Sequence, residues 1–143
     1  HFIDNIPNPN TKHGIIWDKK NPGRRFADAE VAWCSPMDNT RIMNLKRVQE
    51  LNKDDFGKIH PTQKPIQLYK WLLTNYAKTG DKILDTHLGS GSSRIAAFNM
   101  GFDFYGCELD PDYFAASEKR FKEQTAQQSL FPIAHSSYPE SED

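Results

Sequence analysis

Cysteine is scarce in this chain of 143 residues. Cys34 and Cys107 are the only two, far apart and without a CxxC pair, which excludes a disulfide scaffold and a cysteine-rich zinc site. The five histidines, His1, His13, His60, His87 and His135, show no metal spacing such as HExxH, so no metal site is expected. No apolar run approaches the roughly 18 residues that a membrane span needs. No charged-then-apolar leader opens the sequence, so a cytoplasmic protein is the expectation. An excess of charge is missing too. Lys and Arg number 18 against 19 Asp and Glu, so the chain is not a globally basic nucleic-acid binder. Any contact with DNA has to come from a local patch.

What is present supports one folded domain. Hydrophobic residues make up 37% and aromatic residues 12%, enough for a core. Charge is unevenly spread. Arg41 to Lys82 holds nine basic and four acidic residues, while the last twelve residues hold only Glu140, Glu142 and Asp143. Arg24, Arg25, Arg41, Lys46 and Arg47 are the candidate phosphate contacts, with a solvated surface as the plainer alternative.

The order of elements reads as α/β. Gly14–Trp17 and Glu30–Cys34 are strand candidates, each followed by a turn cluster, and Ile42–Val48 is a weaker third. Pro65 suits the start of a helix, on which Leu68, Tyr69, Leu72, Leu73 and Tyr76 recur at helical spacing before Gly80. Lys82–Asp85 reads as a strand, Ser92–Met100 as a helix, Phe102–Glu108 as a strand, and Asp110 onward as a capped helix fading near Gln124. Prolines, serines and an acidic finish mark 127–143 as a flexible tail, leaving the domain at 1–126.

The chemistry concentrates in Asp85-Thr86-His87-Leu88-Gly89-Ser90-Gly91-Ser92, where a strand runs into a glycine-rich turn and then a helix. Gly89 and Gly91 let the backbone approach a ligand closely. Glu108, at the end of the next strand, is placed to accept hydrogen bonds from a ribose diol. The run lacks the third glycine of the dinucleotide fingerprint and the GKS or GKT of a phosphate loop. An acid at its head would repel a pyrophosphate and suits a cationic ligand. S-adenosylmethionine, with its amino group and sulfonium, fits better than a nicotinamide dinucleotide.

These residues resemble a family. Asp85 to Gly91 is similar to the cofactor motif of DNA amino-methyltransferases, with His87 where the usual form has Phe. His60-Pro61-Thr62-Gln63-Lys64-Pro65 is similar to their second cofactor motif, which precedes the first in the permuted beta class, as here. Ile15–Lys19 and Ala29–Trp33 resemble the strands upstream. The likeness is nearest to phage-type adenine methyltransferases. It implies a Rossmann-like S-adenosylmethionine-dependent sheet and a double-stranded DNA substrate. It also implies cofactor contacts from Asp85, Thr86, His87, Gly89, Ser90, Gly91, Glu108, His60, Thr62 and Lys64. Transfer to the N6 amine of adenine is the expected reaction. The alternatives are cytosine-N4 transfer, a nicotinamide-dependent oxidoreductase, or a non-catalytic DNA- or clamp-binding module.

One part of the family pattern has no counterpart. The family's base-binding motif is an Asp, Asn or Ser, then two prolines, then an aromatic residue, and no such run occurs here. Asp110-Pro111-Asp112-Tyr113 comes near, but a helix cap explains each of its residues. No catalytic residue is therefore assigned. The resemblance implies a sheet lacking a central strand between the Asp85 strand and the Ile15 strand. A split sheet, a second copy or a missing N-terminal part would follow from that. Near the end, Gln127-Gln128-Ser129-Leu130-Phe131 resembles the peptide by which bacterial DNA enzymes dock on the sliding clamp. Packing of Leu130 and Phe131 on the domain is the alternative.

Overall fold

A computed structural model describes residues 14–23, 27–35, 39–45 and 57–126. Arg24, Arg25, Lys46, Arg47 and the tail with Gln127, Leu130 and Phe131 lie outside the described residues. The elements are β1 (Gly14–Asp18), β2 (Ala29–Trp33), β3 (Arg41–Asn44), α1 (Ile66–Tyr76), β4 (Lys82–Asp85), α2 (Ser92–Asn99), β5 (Asp103–Gly106) and α3 (Pro111–Ala126).

The first sheet owes its core to alternation. Ile15 and Trp17 on β1 are buried while Gly14, Ile16 and Asp18 are half-buried, as one covered sheet face requires. Trp17 packs with Met43 of β3 and Leu68 of α1, flanked by Leu45 and Trp71. The Trp17 indole N–H donates to the Leu45 carbonyl at 2.9 Å, so its polar edge is satisfied inside the core.

The second unit is a strand–helix–strand–helix run. β4 and β5 are parallel, with Asp85 opposite Gly106. α2 buries Ile95, Ala96 and Ala97, and these small side chains let it sit closely against α1 and β5. α3 is joined to α2 by the Arg94–Glu118 ion pair and by Phe121, which lies 3.9 Å beneath the Arg94 guanidinium and edge-on to Phe98 at 5.3 Å. Asp110 caps α3, its carboxylate accepting the Asp112 and Tyr113 amides at 2.9 and 3.1 Å.

The sheet is divided. Three strands pair in the order β2-β1-β3, with β2 antiparallel and β3 parallel to β1, and β4-β5 forms a separate pair. A groove of about 440 Å³ lies between them, lined by Ala32 and Trp33 of β2, by Ile83 of β4, and by Leu72 and Tyr76 of α1. The edge facing β4 belongs to β2. Ile15 of β1 also lines the groove, but β1 is paired on both sides, so the open edge there is that of β2 and the expectation that the Ile15 strand supplies it is corrected.

Both sheets also have a bare apolar face. Val31 and Ile42, the register partners of Ile16, are 75% and 60% exposed. Leu84 and its partner Tyr105 are 66% and 57% exposed. Parallel strands are normally covered on both faces, so the uncovered stripe belongs to an incomplete layer. Among the described residues, no helix is long and apolar enough to cross a membrane.

The core cluster depends on Leu68. Leu68→Ala is expected to cost roughly 2–5 kcal/mol, read as a lower urea midpoint, whereas Leu84→Ala on the bare face should leave the midpoint nearly unchanged.

Candidate functional site

Asp85 ends β4 and organises the loop after it. One carboxylate oxygen accepts the His87 amide at 2.9 Å, and the other accepts the Ser93 hydroxyl at 2.5 Å. The strand end is thereby tied to the first turn of α2. Gly89 and Gly91 both have positive φ, 53° and 73°, where a side chain would be strained. The constraint is backbone conformation rather than space: a Cβ on Gly89 would meet the His60 ring at 3.5 Å and one on Gly91 would meet Ser117 at 3.4 Å, both ordinary van der Waals contacts.

Glu108 follows β5 and reaches back to this loop. Its carboxylate accepts the Gly89 amide at 2.8 Å and the Asp110 amide at 3.1 Å. The Asp110 amide foremost, then that of Gly89, with smaller contributions from the Leu109 amide and His60, outweigh desolvation and hold its pKa below the usual carboxylate value. A carboxylate has about four acceptor positions, so two backbone bonds leave room for a ligand diol.

The segment 57–64 forms the opposite lip. Gln63 is buried and closes it: its amide oxygen accepts the Ile59 N–H at 2.9 Å and its amide nitrogen donates to the Gly57 carbonyl at 3.1 Å. His60 bonds through Nδ1 to the Thr62 hydroxyl at 3.1 Å, and its ring meets Tyr113 edge-on at 4.4 Å. Lys64 is held by Glu30 of β2 at 3.0 Å, and Glu30 also binds Lys19 at 2.8 Å. Burial would raise the Glu30 pKa, but the bonds from the two lysines outweigh it and leave the group lowered.

Together these elements enclose a cleft of about 640 Å³, within the range of small-molecule sites. His60, Thr62, Lys64, Asp85, His87, Gly89, Ser90 and Glu108 line it. Thr86 and Gly91 stand in the same loop without facing the cleft; Thr86 bonds His87 Nδ1 at 2.9 Å. Arg41 is exposed on β3, away from the lining. Among the described residues, no group of His, Cys, Asp or Glu could hold a metal ion.

The sequence reading missed three participants. Tyr69 lines the cleft from α1, and burial, with Asp85 and Glu30 nearby, pushes its pKa up to about 12. Its place in the helical repeat marked it as core. Tyr113 reads in the sequence only as part of a cap, and Arg120 carries no signal there.

Known proteins resemble this chain in sequence and fold. A family model described as DNA methylase, for N6 and N4 methyltransferases, matches residues 3–119. Type II methyltransferase M.HinfI of Haemophilus influenzae is 30% identical over 138 residues, covering 76% of this chain and 38% of that protein. Type II methyltransferase M2.DpnII of Streptococcus pneumoniae is 35% identical over 136 residues, covering 77% and 50%. The chain thus spans half or less of the length of these relatives. Among solved structures, TTHA0409 of Thermus thermophilus, described as a DNA modification methylase and complexed with S-adenosyl-L-methionine, matches with a TM-score of 0.51 at 26% identity. That match covers 78% of this chain and 53% of that one. The M1.HpyAVI–SAM complex has a TM-score of 0.57 at 24% identity and shares the fold, over 76% and 61%.

The lowered Glu108 pKa has a defined sign. A carboxylate depressed in the folded state stabilises it above the unfolded value, 4.5, and that contribution is lost as pH falls through the folded value. Glu108→Gln should therefore lower the urea midpoint at pH 7 and flatten its fall below pH about 4.5. An acid limb identical to wild type would remove Glu108 from this role.

Proposed function

The chain belongs to the DNA methylase family of N6 and N4 methyltransferases, and on that premise we propose that its cleft binds S-adenosylmethionine within an enzyme that methylates the N6 amine of adenine in double-stranded DNA. One observation carries the proposal: the two motif loops meet around one cleft, with His60 against Gly89 and with Asp85 and Glu108 ending adjacent strands. The lining suits the ligand. Asp85 offers acceptor capacity for an amino group, and Glu108 offers it for a ribose. His60, Thr62 and Lys64 would bind at the opposite lip, and Thr86, His87, Ser90 and Gly91 would shape the loop that receives the methionine side. When bound, the cofactor supplies an activated methyl group, while the protein supplies position and charge.

The acceptor base needs groups that this sequence does not contain, since no paired prolines before an aromatic residue occur. The groove between β2 and β4 is the slot for a strand bearing them. Arg24, Arg25, Arg41, Lys46 and Arg47 are the proposed phosphate contacts, and binding through them would weaken steeply with salt. Adenine is preferred over cytosine-N4 on the likeness of the chain, over nearly all of residues 1–131, to phage-type adenine enzymes; base analysis of DNA modified by the complete enzyme separates the two.

Calorimetric titration of S-adenosylmethionine into this chain, beside Glu108→Ala, tests the cofactor assignment. Binding that is lost in the variant is expected, with no methyl transfer to DNA by the chain alone. Equal binding by both proteins would remove Glu108 from the site.

The tail is proposed as a clamp-docking peptide through Gln127, Leu130 and Phe131, on the anchor chemistry of its Leu-Phe pair. A pull-down with clamp protein should succeed with wild type and fail with Leu130→Ala/Phe131→Ala. Equal recovery of both would discard the idea.

A further inference from the structure

The glycine-rich loop is gripped from two directions. On the cleft side, Glu108 takes the Gly89 amide. On the other side lies α3, whose buried Ser117 comes against Gly91. One turn along the same helix, Arg120 is only 1% exposed. Its Nη1 donates to the Ser90 carbonyl at 2.6 Å and to the Ser92 hydroxyl at 3.0 Å, across 30 and 28 residues of sequence. The Ser90 and Ser92 hydroxyls lie 3.1 Å apart, both buried.

These bonds fix a particular peptide plane. The Ser90 carbonyl and the Gly91 N–H belong to one planar unit. Arg120 holds the carbonyl end, and the Leu88 carbonyl accepts the Gly91 N–H at 2.9 Å. A unit restrained at both ends resists rotation, so the Ser90–Gly91 peptide is held from α3 while Glu108 holds Gly89. A buried guanidinium is expensive to desolvate, and its hydrogen bonds to the loop offset part of that cost. Arg120 itself does not line the cleft, whereas Ser90 does.

We propose that Arg120 is the positioning residue of the glycine-rich loop, setting ligand affinity at the cleft through Ser90 without touching the ligand. The ligand half of this inference rests on the S-adenosylmethionine reading. The loop half stands on the hydrogen bonds alone. Lysine replaces arginine only in part: both bonds leave a single nitrogen, which an ammonium can also supply, but its stem is one bond shorter and lacks the rigid guanidinium plane.

The test uses the full chain without ligand and then with S-adenosylmethionine. Amide hydrogen exchange should accelerate about tenfold at Gly89 and Gly91 in Arg120→Met, less in Arg120→Lys, with β1 amides within about twofold of wild type. A general loss of stability would accelerate every amide together, and that result would overturn the proposal. So would wild-type exchange at Gly89 and Gly91 in folded Arg120→Met. If Arg120→Met does not fold, Arg120→Lys decides: acceleration confined to the loop supports the role, and none refutes it. In the titration, affinity should fall about tenfold in Arg120→Met, a loss of about 1.4 kcal/mol. If wild type binds no S-adenosylmethionine, the ligand reading fails while the exchange result still judges Arg120.

Discussion

The hydrogen bond from the Gly89 amide to the Glu108 carboxylate is the constraint on which the site depends. It joins two residues that are distant in sequence but follow neighbouring parallel strands. The pairing continues past the strand ends: the Cys107 amide donates to the Asp85 carbonyl, and the Leu88 amide to the Cys107 carbonyl, both at 2.9 Å. This short zipper carries Glu108 to the mouth of the loop. The carboxylate then consumes a loop N–H that would otherwise point unpaired at the cleft. With Gly89 fixed there, the left-handed turn follows, α2 starts at Ser92, and His60 has a flat backbone surface against which to lie.

Electrostatics extends this arrangement to the first sheet. Glu30 on β2 holds Lys64 at the cleft rim and Lys19 beside Trp17. A half-exposed pair of this kind contributes little to stability, so its consequence is positional. It links the loop at 57–64 to β2, although no strand bridges β2 and β4 among the described residues. The first sheet is therefore tied by charge to the lip of the cleft.

Much of this was legible in the sequence, for identifiable reasons. The strand ending in Asp85, the glycine turn and the helix from Ser92 were readable because each has its own local signal, and Asp110 capped its helix as its spacing implied. The divided sheet followed from the family resemblance and the absent proline pair. Other features depend on tertiary contact. The Ile15 strand was placed at the open edge, but strand order is decided by which neighbours pair, and β3 claims that side of β1. Arg120 carried no signal, because a charge on an amphipathic helix looks solvated until the loop it meets is placed. Tyr69 fitted the apolar repeat of α1, and only the fold shows that it borders a cleft.

The gap in the sheet and the cleft are one continuous feature. Leu72, Leu73 and Ile83 line both. A strand inserted between β2 and β4 would satisfy two open edges and would also wall the cleft beside Asp85 and Tyr69. Covering that side would remove water from a site built on carboxylates, and each charged contact within it would strengthen as the local dielectric falls. The chain thus holds the half of the site that grips by backbone geometry, through Glu108 and Arg120. Because three side chains line both cavities, a strand filling the groove would bear on the cleft as well, and on the proposed function sheet completion would be coupled to ligand affinity.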